Sequence, residues 1–511
     1  MIIFCIIFLV IAYLLYKFFR PQENLNHGIN FEINNMMYIV VPCYNFEKYI
    51  NKCLISIQKQ NYRKYKCIVV NDGATDKTGE IIDKYCKTDE RFEHLKFLEN
   101  RGPAFGKYIG FKRVEELCNP NDICIVIDGD DYLLIKSALS HINNVYNTTK
   151  CWFTYGSCKG LYCSSGNIEL INNNNYRKNK WVYAHPRTFK TYLLKNFTKE
   201  DFLYKDGSWL KKGTDINFVF KCVEFAGLER THYISKQLYK YRTHSNNTTY
   251  RNSKQSKEDH KNYAYSKKPI KEYIEPIHVL LYVINQHNLQ NIINSIKTQT
   301  ILKRIKLHII HTTNLESIDM DNIDYHTVKT SDRISKALFE YVKKLRKTEL
   351  MDYIVILDTN YTIPANFIEF IYENKKPRSL ICWNGGFYNK KEMLDDKSKN
   401  LINTNILSSK NILNNENINI VKYDFGSIGQ SILDAALFDL PITDPIPNIH
   451  NIDIWISYYC HKLNWDIKRS FVLPYGKNII INKSKTKYIR KCIKVINYPI
   501  PHMIKTKPII F

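Results

Sequence analysis

The stretch "MYIVVPCYNFEKYINKCLISIQKQNYRKYKCIVVNDGATDKT" at residues 37–78 alternates short apolar runs with longer amphipathic ones. Its first run, residues 37–42, is apolar or aromatic throughout and ends at a proline, which is typical of a buried strand. Between residues 49 and 57 the apolar side chains recur at helical spacing, and residues 66–71 form a second apolar strand. The stretch therefore predicts a strand–helix–strand unit of a parallel sheet.

The same alternation continues through "HLKFLE" at residues 94–99, a helical pattern at residues 103–117 and the strand "ICIVI" at residues 123–127. This order predicts a mostly parallel, doubly wound α/β sheet, which binds ligands at the carboxyl ends of its strands. Asp72 and Asp128 each follow directly after an apolar strand, where a ligand-binding acid is expected.

A second copy of this pattern follows a polar, Lys-rich linker predicted at residues 252–272. The string Ser-Ile-x-x-Gln at residues 56–60 recurs at residues 295–299, and the order of strand and helix patterns is repeated around it. We therefore predict two domains of related fold, at residues 36–251 and 273–511.

The length of 511 residues predicts two or three domains. Because 44% of the residues are hydrophobic, the chain can form large folded cores. The net charge of +25 has two explanations, a polyanionic partner or a compositional bias toward lysine. A nucleic-acid-binding protein would cluster its basic residues among aromatic ones, whereas here they are scattered. We expect no nucleic-acid partner.

An apolar run at residues 2–16, followed by Lys17 and Arg20, predicts an N-terminal membrane anchor at residues 1–20. A cleaved signal peptide is the alternative, but no basic residue precedes the run and no small-residue cleavage site follows it. The sequence leaves open whether the rest of the chain is cytosolic or lumenal.

The acidic segment "DGDDYL" at residues 128–133 follows the strand at 123–127. Residues i and i+2 of an extended turn project to one side, so Asp128 and Asp130 can face one ligand, and Gly129 allows close approach. Hard cations such as Mn²⁺ or Mg²⁺ require such oxygen ligands. The alternatives are a surface turn or a calcium loop, but the further Glu of a calcium loop is missing.

Four motifs in order resemble the opening of a family-2 glycosyltransferase of the GT-A fold. They are Pro-x-Tyr-Asn at residues 42–45, Ser-Ile-x-x-Gln at 56–60, Asn-Asp-Gly-x-Thr-Asp at 71–76 and the Asp-x-Asp-Asp motif at 128–131. The resemblance covers residues 36–250 and implies two tandem GT-A domains, which are Rossmann-like nucleotide-diphospho-sugar transferase domains.

The resemblance also implies roles for single residues. Tyr44 would line the base pocket, Asp72 would bind the nucleobase, usually uracil, and Arg101 would face phosphate. The implied nucleotide-sugar site is Pro42, Tyr44, Asn45, Asp72, Asn100, Arg101 and Asp128, and the implied metal ligands are Asp130, Asp131 and His244.

An inverting transfer needs a general base that accepts the proton of the acceptor hydroxyl. In this family the base opens a late helix, which implies Asp215; the alternative is a residue that interacts with the helix dipole. The segment "HPRTFK" at residues 185–190 resembles an acceptor-side element.

In the second copy, Asp358 ends a strand and is a candidate metal ligand, but Asn360 replaces the second acid. Asp453 lies in an Asp-x-Trp segment similar to one that supplies a late acid in GT-A enzymes, and is a candidate second base.

We therefore expect a metal-dependent inverting glycosyltransferase that transfers a sugar from a nucleotide-sugar, with UDP favoured, to a glycan, glycoprotein or glycolipid acceptor in polysaccharide biosynthesis. The second domain is either active or a degenerate domain that binds a glycan or a partner.

Overall fold

The computed structural model describes residues 33–160, 176–178, 181–244, 262–283, 288–311, 323–327, 334–359, 362–363, 365–382, 385–386, 425–426, 431–439, 460 and 465–469. Most of these residues belong to two large mixed β-sheets and to the helices that pack against them.

The first sheet has eight strands in the order β3-β2-β1-β4-β7-β6-β8-β5. Its strands are β1 Met37–Cys43, β2 Tyr65–Asp72, β3 Phe92–Phe97, β4 Ile123–Val126, β5 Tyr132–Leu133, β6 Phe153–Lys159, β7 Ala184–Lys190 and β8 Thr231–Lys240. The accompanying helices are α1 Ile50–Gln58, α2 Thr78–Thr88, α3 Pro103–Leu117, α4 Ala138–Thr149 and α5 Thr214–Ala226.

The central strand β1 is buried on both faces, as its uninterrupted apolar sequence predicts. Ile39 and Val41 pack into one core with α1 and α4, whereas Val40 packs into the other with α3 and α5. Helix α3 lies very close to the strand, because a Cβ on Gly110 would stand 2.2 Å from a methyl carbon of Val40.

The prediction of a mostly parallel sheet is correct for β3, β2, β1 and β4, whereas β7 and β5 pair antiparallel to their neighbours. Strand β7 runs antiparallel to both β4 and β6, while β6 and β8 are parallel. The observed sheet is therefore mixed, because beyond β4 the strands do not follow one another as successive parallel strand–helix–strand units.

The second sheet has seven strands in the order β11-β10-β9-β12-β16-β13-β17. Its strands are β9 Ile277–Val283, β10 Ile305–His311, β11 Ile323–Thr327, β12 Tyr353–Asp358, β13 Ser379–Cys382, β16 Ser431–Asp434 and β17 Asp466–Arg469, and a separate two-stranded sheet joins β14 Gly385–Gly386 to β15 Phe425–Gly426. The helices are α6 Leu289–Lys297, α7 Ile334–Leu345 and α8 Phe367–Glu373.

The second sheet repeats the strand order and strand directions of the first over seven strands. In both sheets the first four strands in this order are parallel. The fifth strand, β7 or β16, is antiparallel to both of its neighbours, and the sixth and seventh strands are parallel to each other. The repetition agrees with the recurring sequence pattern.

The two sheets meet through the amino ends of their parallel strands. Asn121, just before β4, donates its Nδ2 to the backbone oxygens of Arg346 (2.9 Å) and Glu349 (2.8 Å), which precede β12. Trp152, just before β6, donates its Nε1 to Asp352 Oδ2 at 2.8 Å. The carboxyl ends of both sets of parallel strands consequently lie at the strand ends remote from this contact.

The same contact region contains a buried ion pair. Lys150 Nζ lies 2.7 Å from Asp434 Oδ1, and the two side chains are 9% and 0% exposed. Leu350 of the second unit is part of the hydrophobic core of the first. The two sheets are thus joined by buried apolar and charged contacts.

A buried histidine pair connects β9 and β10. Nδ1 of His278 and Nε2 of His308 are 3.0 Å apart and joined by a hydrogen bond. Burial lowers the pKa of His278 to about 4 and that of His308 to about 3, so both are neutral in the folded protein near pH 7.

Acidification is expected to destabilise this unit. Unfolded histidines bind protons below pH 6.5, whereas the folded pair stays neutral down to about pH 4. The stabilisation from the pair is therefore fully present above pH 6.5 and is lost as the pH falls toward 4. Replacing both histidines by leucine should reduce the fall in the urea unfolding midpoint between about pH 7 and pH 5. An equal fall in both proteins would contradict this.

Some predicted features lie outside the described residues: the anchor at residues 1–20, residues 252–261 of the linker, Asn360 and Asp453. Among the described helices, none is long and apolar enough to cross a bilayer.

Candidate active site

A cleft of about 1300 Å³ opens at the carboxyl ends of β1, β2 and β4. Nine of the residues singled out from the sequence line it: Pro42, Tyr44, Asn45, Asp72, Asn100, Arg101, Asp128, Asp130 and Asp215. They come from five separate segments of the chain. Four of these segments end or follow the parallel strands β1, β2, β3 and β4, which end at one edge of the sheet, and the fifth is the start of α5.

Asp72 lines the cleft and binds the loop that precedes α3. Its carboxylate accepts hydrogen bonds from the backbone N–H of Arg101 (3.0 Å) and Gly102 (2.6 Å), so it holds the loop before α3 in place. Burial raises the pKa of Asp72, although these two N–H groups stabilise its charged form. Gly73, at φ +72°, packs so closely that a Cβ there would lie 2.5 Å from the carbonyl carbon of Glu99.

The acidic turn after β4 lies directly against the end of β1. Gly129 donates its N–H to the oxygen of Pro42 at 3.1 Å, and a Cβ at this position would stand 2.8 Å from Cys43 Cβ. The glycine between the two acids therefore lets the turn approach β1, with Asp128 and Asp130 facing the cleft.

Asp131 does not line the cleft, although the sequence assigned it to the metal. Its side chain is fully buried and accepts hydrogen bonds from Tyr239 Oη (2.8 Å) and the backbone N–H of Arg242 (2.7 Å). Burial and the neighbouring charges of Asp130 and Asp128 raise the pKa of Asp131 well above its usual range. Its contacts fix the end of β8 behind the acidic turn.

Asp130, which lines the cleft, is in contact with His244. His244 Nε2 lies 3.0 Å from Asp130 Oδ2, and the side chains are 9% and 12% exposed. Within the described residues, no group of three or more His, Cys, Asp or Glu side chains forms a metal site. One oxygen and one nitrogen donor suit Mn²⁺ if a bound ligand completes its coordination.

A buried lysine connects the two sides of the cleft. Lys107 is 3% exposed, and its Nζ lies 2.8 Å from Asp215 Oδ1 and 3.5 Å from Asp128 Oδ1. Burial disfavours its charge, but the attraction of these two carboxylates outweighs burial and raises the pKa of Lys107. The lysine is therefore charged.

Arg187 and His185 of β7 complete the cluster. Arg187 Nη1 donates to Asp215 Oδ2 at 2.7 Å and lies 2.8 Å from His185 Nε2. Burial and the charge of Arg187 lower the pKa of His185 to about 4, so His185 is neutral.

Asp215 opens α5, as predicted, and faces the cleft. Burial disfavours its charge, but Arg187 and Lys107 more than compensate and hold the pKa of Asp215 well below its usual range. In the ligand-free cleft it is thus a stable carboxylate and a weak base.

Lys107 was not singled out from the sequence, although a signal for it exists. Ala104, Lys107, Phe111 and Val114 recur at helical spacing and are all buried in α3. A lysine within an apolar stripe that ends near the predicted acids indicates a buried cation with a carboxylate partner.

In the second sheet, Asp358 is the last residue of β12, the position that corresponds to the acidic turn after β4. It is 7% exposed and accepts a hydrogen bond from Tyr282 Oη at 3.4 Å. Tyr282 pairs with Asp358 across the β9–β12 ladder, at the place of Pro42 in the first sheet.

Comparison with known protein families assigns most of the first sheet to a family. Residues 38–202 match the family model of Glycosyl transferase family 2. This part of the chain is a family-2 glycosyltransferase domain. The match spans the cleft loops from Pro42 to Arg187, so the candidate site lies mostly within the glycosyltransferase domain.

Two bacterial relatives match the glycosyltransferase domain. Glycosyltransferase GlyA of Streptococcus pneumoniae is 32% identical over 101 residues, which cover 20% of this chain and 14% of GlyA. Poly(ribitol-phosphate) beta-N-acetylglucosaminyltransferase TarS of Staphylococcus aureus is 32% identical over 111 residues, which cover 20% of this chain and 18% of TarS. The matches span less than a fifth of either relative.

A structural comparison finds TarS residues 1–349 in complex with UDP at 21% identity and a TM-score of 0.32. The alignment covers 41% of this chain and 61% of that one.

Proposed function

We propose that the protein is an inverting glycosyltransferase that transfers a sugar from a nucleoside diphosphate sugar, with UDP as the nucleotide, to a hydroxyl of a glycan or glycoconjugate. The observation that carries this proposal is the meeting of Asp72, Asp128, Asp130 and Asp215 in one cleft that also holds Lys107 and Arg187. The names of the matched relatives GlyA and TarS support the same reaction class.

The arrangement of charge supports a donor that spans the cleft from Asp72 to Asp215. The nucleobase lies beside Tyr44 and Asp72, and Asp128 contacts the ribose. The diphosphate lies near Arg101, Lys107 and Arg187, whose charges attract its oxygens. Because Lys107 and Arg187 already face carboxylates, their positions are set before the donor arrives, which lowers the reorganisation needed in the reaction.

Asp130 and His244 would hold a divalent cation, Mn²⁺ or Mg²⁺, at the diphosphate. When bound, the cation supplies Lewis-acid stabilisation of the charge that develops on the leaving diphosphate. The pair offers one carboxylate oxygen and one imidazole nitrogen at 3.0 Å from each other, which suits a shared ligand.

Asp215 accepts the proton of the acceptor hydroxyl as its oxygen attacks the anomeric carbon. The new carbon–oxygen bond forms on the face opposite the diphosphate, the bond to the diphosphate breaks, and the bonding electrons leave with the diphosphate. A bound diphosphate competes with Asp215 for Lys107 and Arg187. Its arrival therefore raises the basicity of Asp215 when a base is required.

For the second sheet, we propose a divergent GT-A-like domain at residues 273–511, supported by the repeated strand order. It either transfers a second sugar or holds the acceptor or a partner. The contact between Tyr282 and Asp358 occupies one carboxylate oxygen of its candidate acid, which favours a binding role. We also propose that the apolar run at residues 2–16 anchors the protein in a membrane.

A panel of nucleotide sugars incubated with Mn²⁺, with hydrolysis and transfer measured, tests the proposal. One donor should be turned over, and Asp130→Ala should lower its turnover about 100-fold because diphosphate stabilisation is lost. If Asp130→Ala leaves every transfer intact, the first domain is not the catalyst.

Asp358→Ala is the matched control, since it removes the acid at the equivalent strand end of the other sheet. If the second domain has a binding role, Asp358→Ala leaves turnover of that donor within about twofold. Loss of transfer from a second donor in this variant would identify an active second domain.

A further inference from the structure

The position of His244 beside Asp130 depends on contacts outside regular secondary structure. His244 follows the last residue of β8, Lys240, by four positions, so no strand ladder fixes it. The neighbouring Tyr49 precedes α1 and belongs to the loop that carries Tyr44 and Asn45. The two ends of this contact are thus far apart in the chain.

Tyr49 supports the imidazole of His244 by direct stacking. The ring centroids are 4.1 Å apart with an angle of 18° between the planes. Phe46 approaches the imidazole edge-on, with centroids 6.5 Å apart at 82°. Two aromatic rings thus restrict both the tilt and the sideways movement of His244, while Nε2 faces Asp130.

Arg242 fixes Tyr49 relative to the acids. Its Nη2 donates to the backbone oxygen of Tyr49 at 2.9 Å, and its Nε donates to the backbone oxygen of Asp130. Its guanidinium also lies over the Tyr49 ring, 5.0 Å from the centroid. One side chain therefore sets the distance between the stacking ring and the acidic turn.

We propose that Tyr49 is a positioning residue for the divalent cation. Its ring holds His244 in the rotamer in which Nε2 and Asp130 share one ligand. The inference rests on the proposed function, because it takes Asp130 and His244 as the metal ligands. Groups that orient metal ligands without touching the metal commonly change metal affinity 10- to 100-fold.

The test measures Mn²⁺ binding to the full chain in the presence of UDP, by the electron paramagnetic resonance signal of free Mn²⁺. Tyr49→Leu should raise the Kd for Mn²⁺ about tenfold, whereas Tyr49→Phe, which keeps the ring, should stay within about twofold of the unaltered protein. Thermal unfolding and UDP affinity without metal, measured on both variants, separate this effect from loss of the fold.

Comparison of the single variants with the double variant Tyr49→Leu/His244→Ala tests whether Tyr49 acts through His244. If Tyr49 acts through His244, Tyr49→Leu adds no further loss of Mn²⁺ affinity to His244→Ala. Additive losses, or an unchanged Kd in Tyr49→Leu, would overturn the role of Tyr49 alone. Absence of Mn²⁺ binding in the unaltered protein would overturn the proposed metal site and this inference with it.

Discussion

Replacement of Asp215 by asparagine is expected to lower the rate of sugar transfer about 1000-fold, because the amide cannot accept the acceptor proton. The side chain keeps its size and its place at the start of α5. Since Lys107 and Arg187 hold the pKa of Asp215 well below its usual range, its protonation should not limit the unaltered enzyme at mildly acidic pH.

Single-turnover kinetics measure this effect, with UDP affinity by calorimetry as the companion measurement. Asp215→Asn removes the carboxylate that Arg187 contacts and leaves Lys107 with Asp128 alone, so thermal unfolding must confirm that the variant is folded. The expected result is a folded protein that binds UDP and transfers little sugar. A rate within tenfold of the unaltered protein would remove Asp215 from the role of base.

Asp434→Ala is expected to cost about 3–5 kcal/mol in the free energy of unfolding, because it leaves the buried ammonium of Lys150 without its partner. It also removes the acceptor for the backbone N–H groups of Arg378 (2.7 Å) and Ala436 (3.0 Å). Chemical denaturation measures the change.

Glu115→Ala is the matched control, since it breaks the Lys112–Glu115 ion pair, whose side chains are 42% and 35% exposed. Such exposed pairs contribute less than about 1 kcal/mol. Equal losses of unfolding free energy in Asp434→Ala and Glu115→Ala would contradict a buried Lys150–Asp434 ion pair between the two sheets.

The sequence predicted the first parallel strands closely because their signal is local. The helix predicted at residues 103–117 is observed as Pro103–Leu117, and the strand predicted at 66–71 is observed as Tyr65–Asp72. The order β4-β7-β6-β8 was not predictable, because each pairing there joins segments whose partners are set by packing rather than by spacing.

The same limit applies within the site. Motif order was sufficient to bring Asp72, Asp128 and Asp130 together, since parallel strands end at one edge. Motif order could not predict that Asp130 faces the cleft while Asp131 is buried. The burial of Asp131 depends on its hydrogen bonds with Tyr239 and Arg242, which lie more than 100 residues later in the chain.

The docking of the two sheets by their amino ends has a consequence for any glycan that visits both. Asp128 follows β4 and Asp358 ends β12, so each acid lies about 20 Å along its strand from the contact region. A sugar terminus bound beside one of these acids would have to dissociate before it could reach the other. Chain growth that used both strand ends would therefore be distributive, with products that differ by one sugar accumulating free in solution.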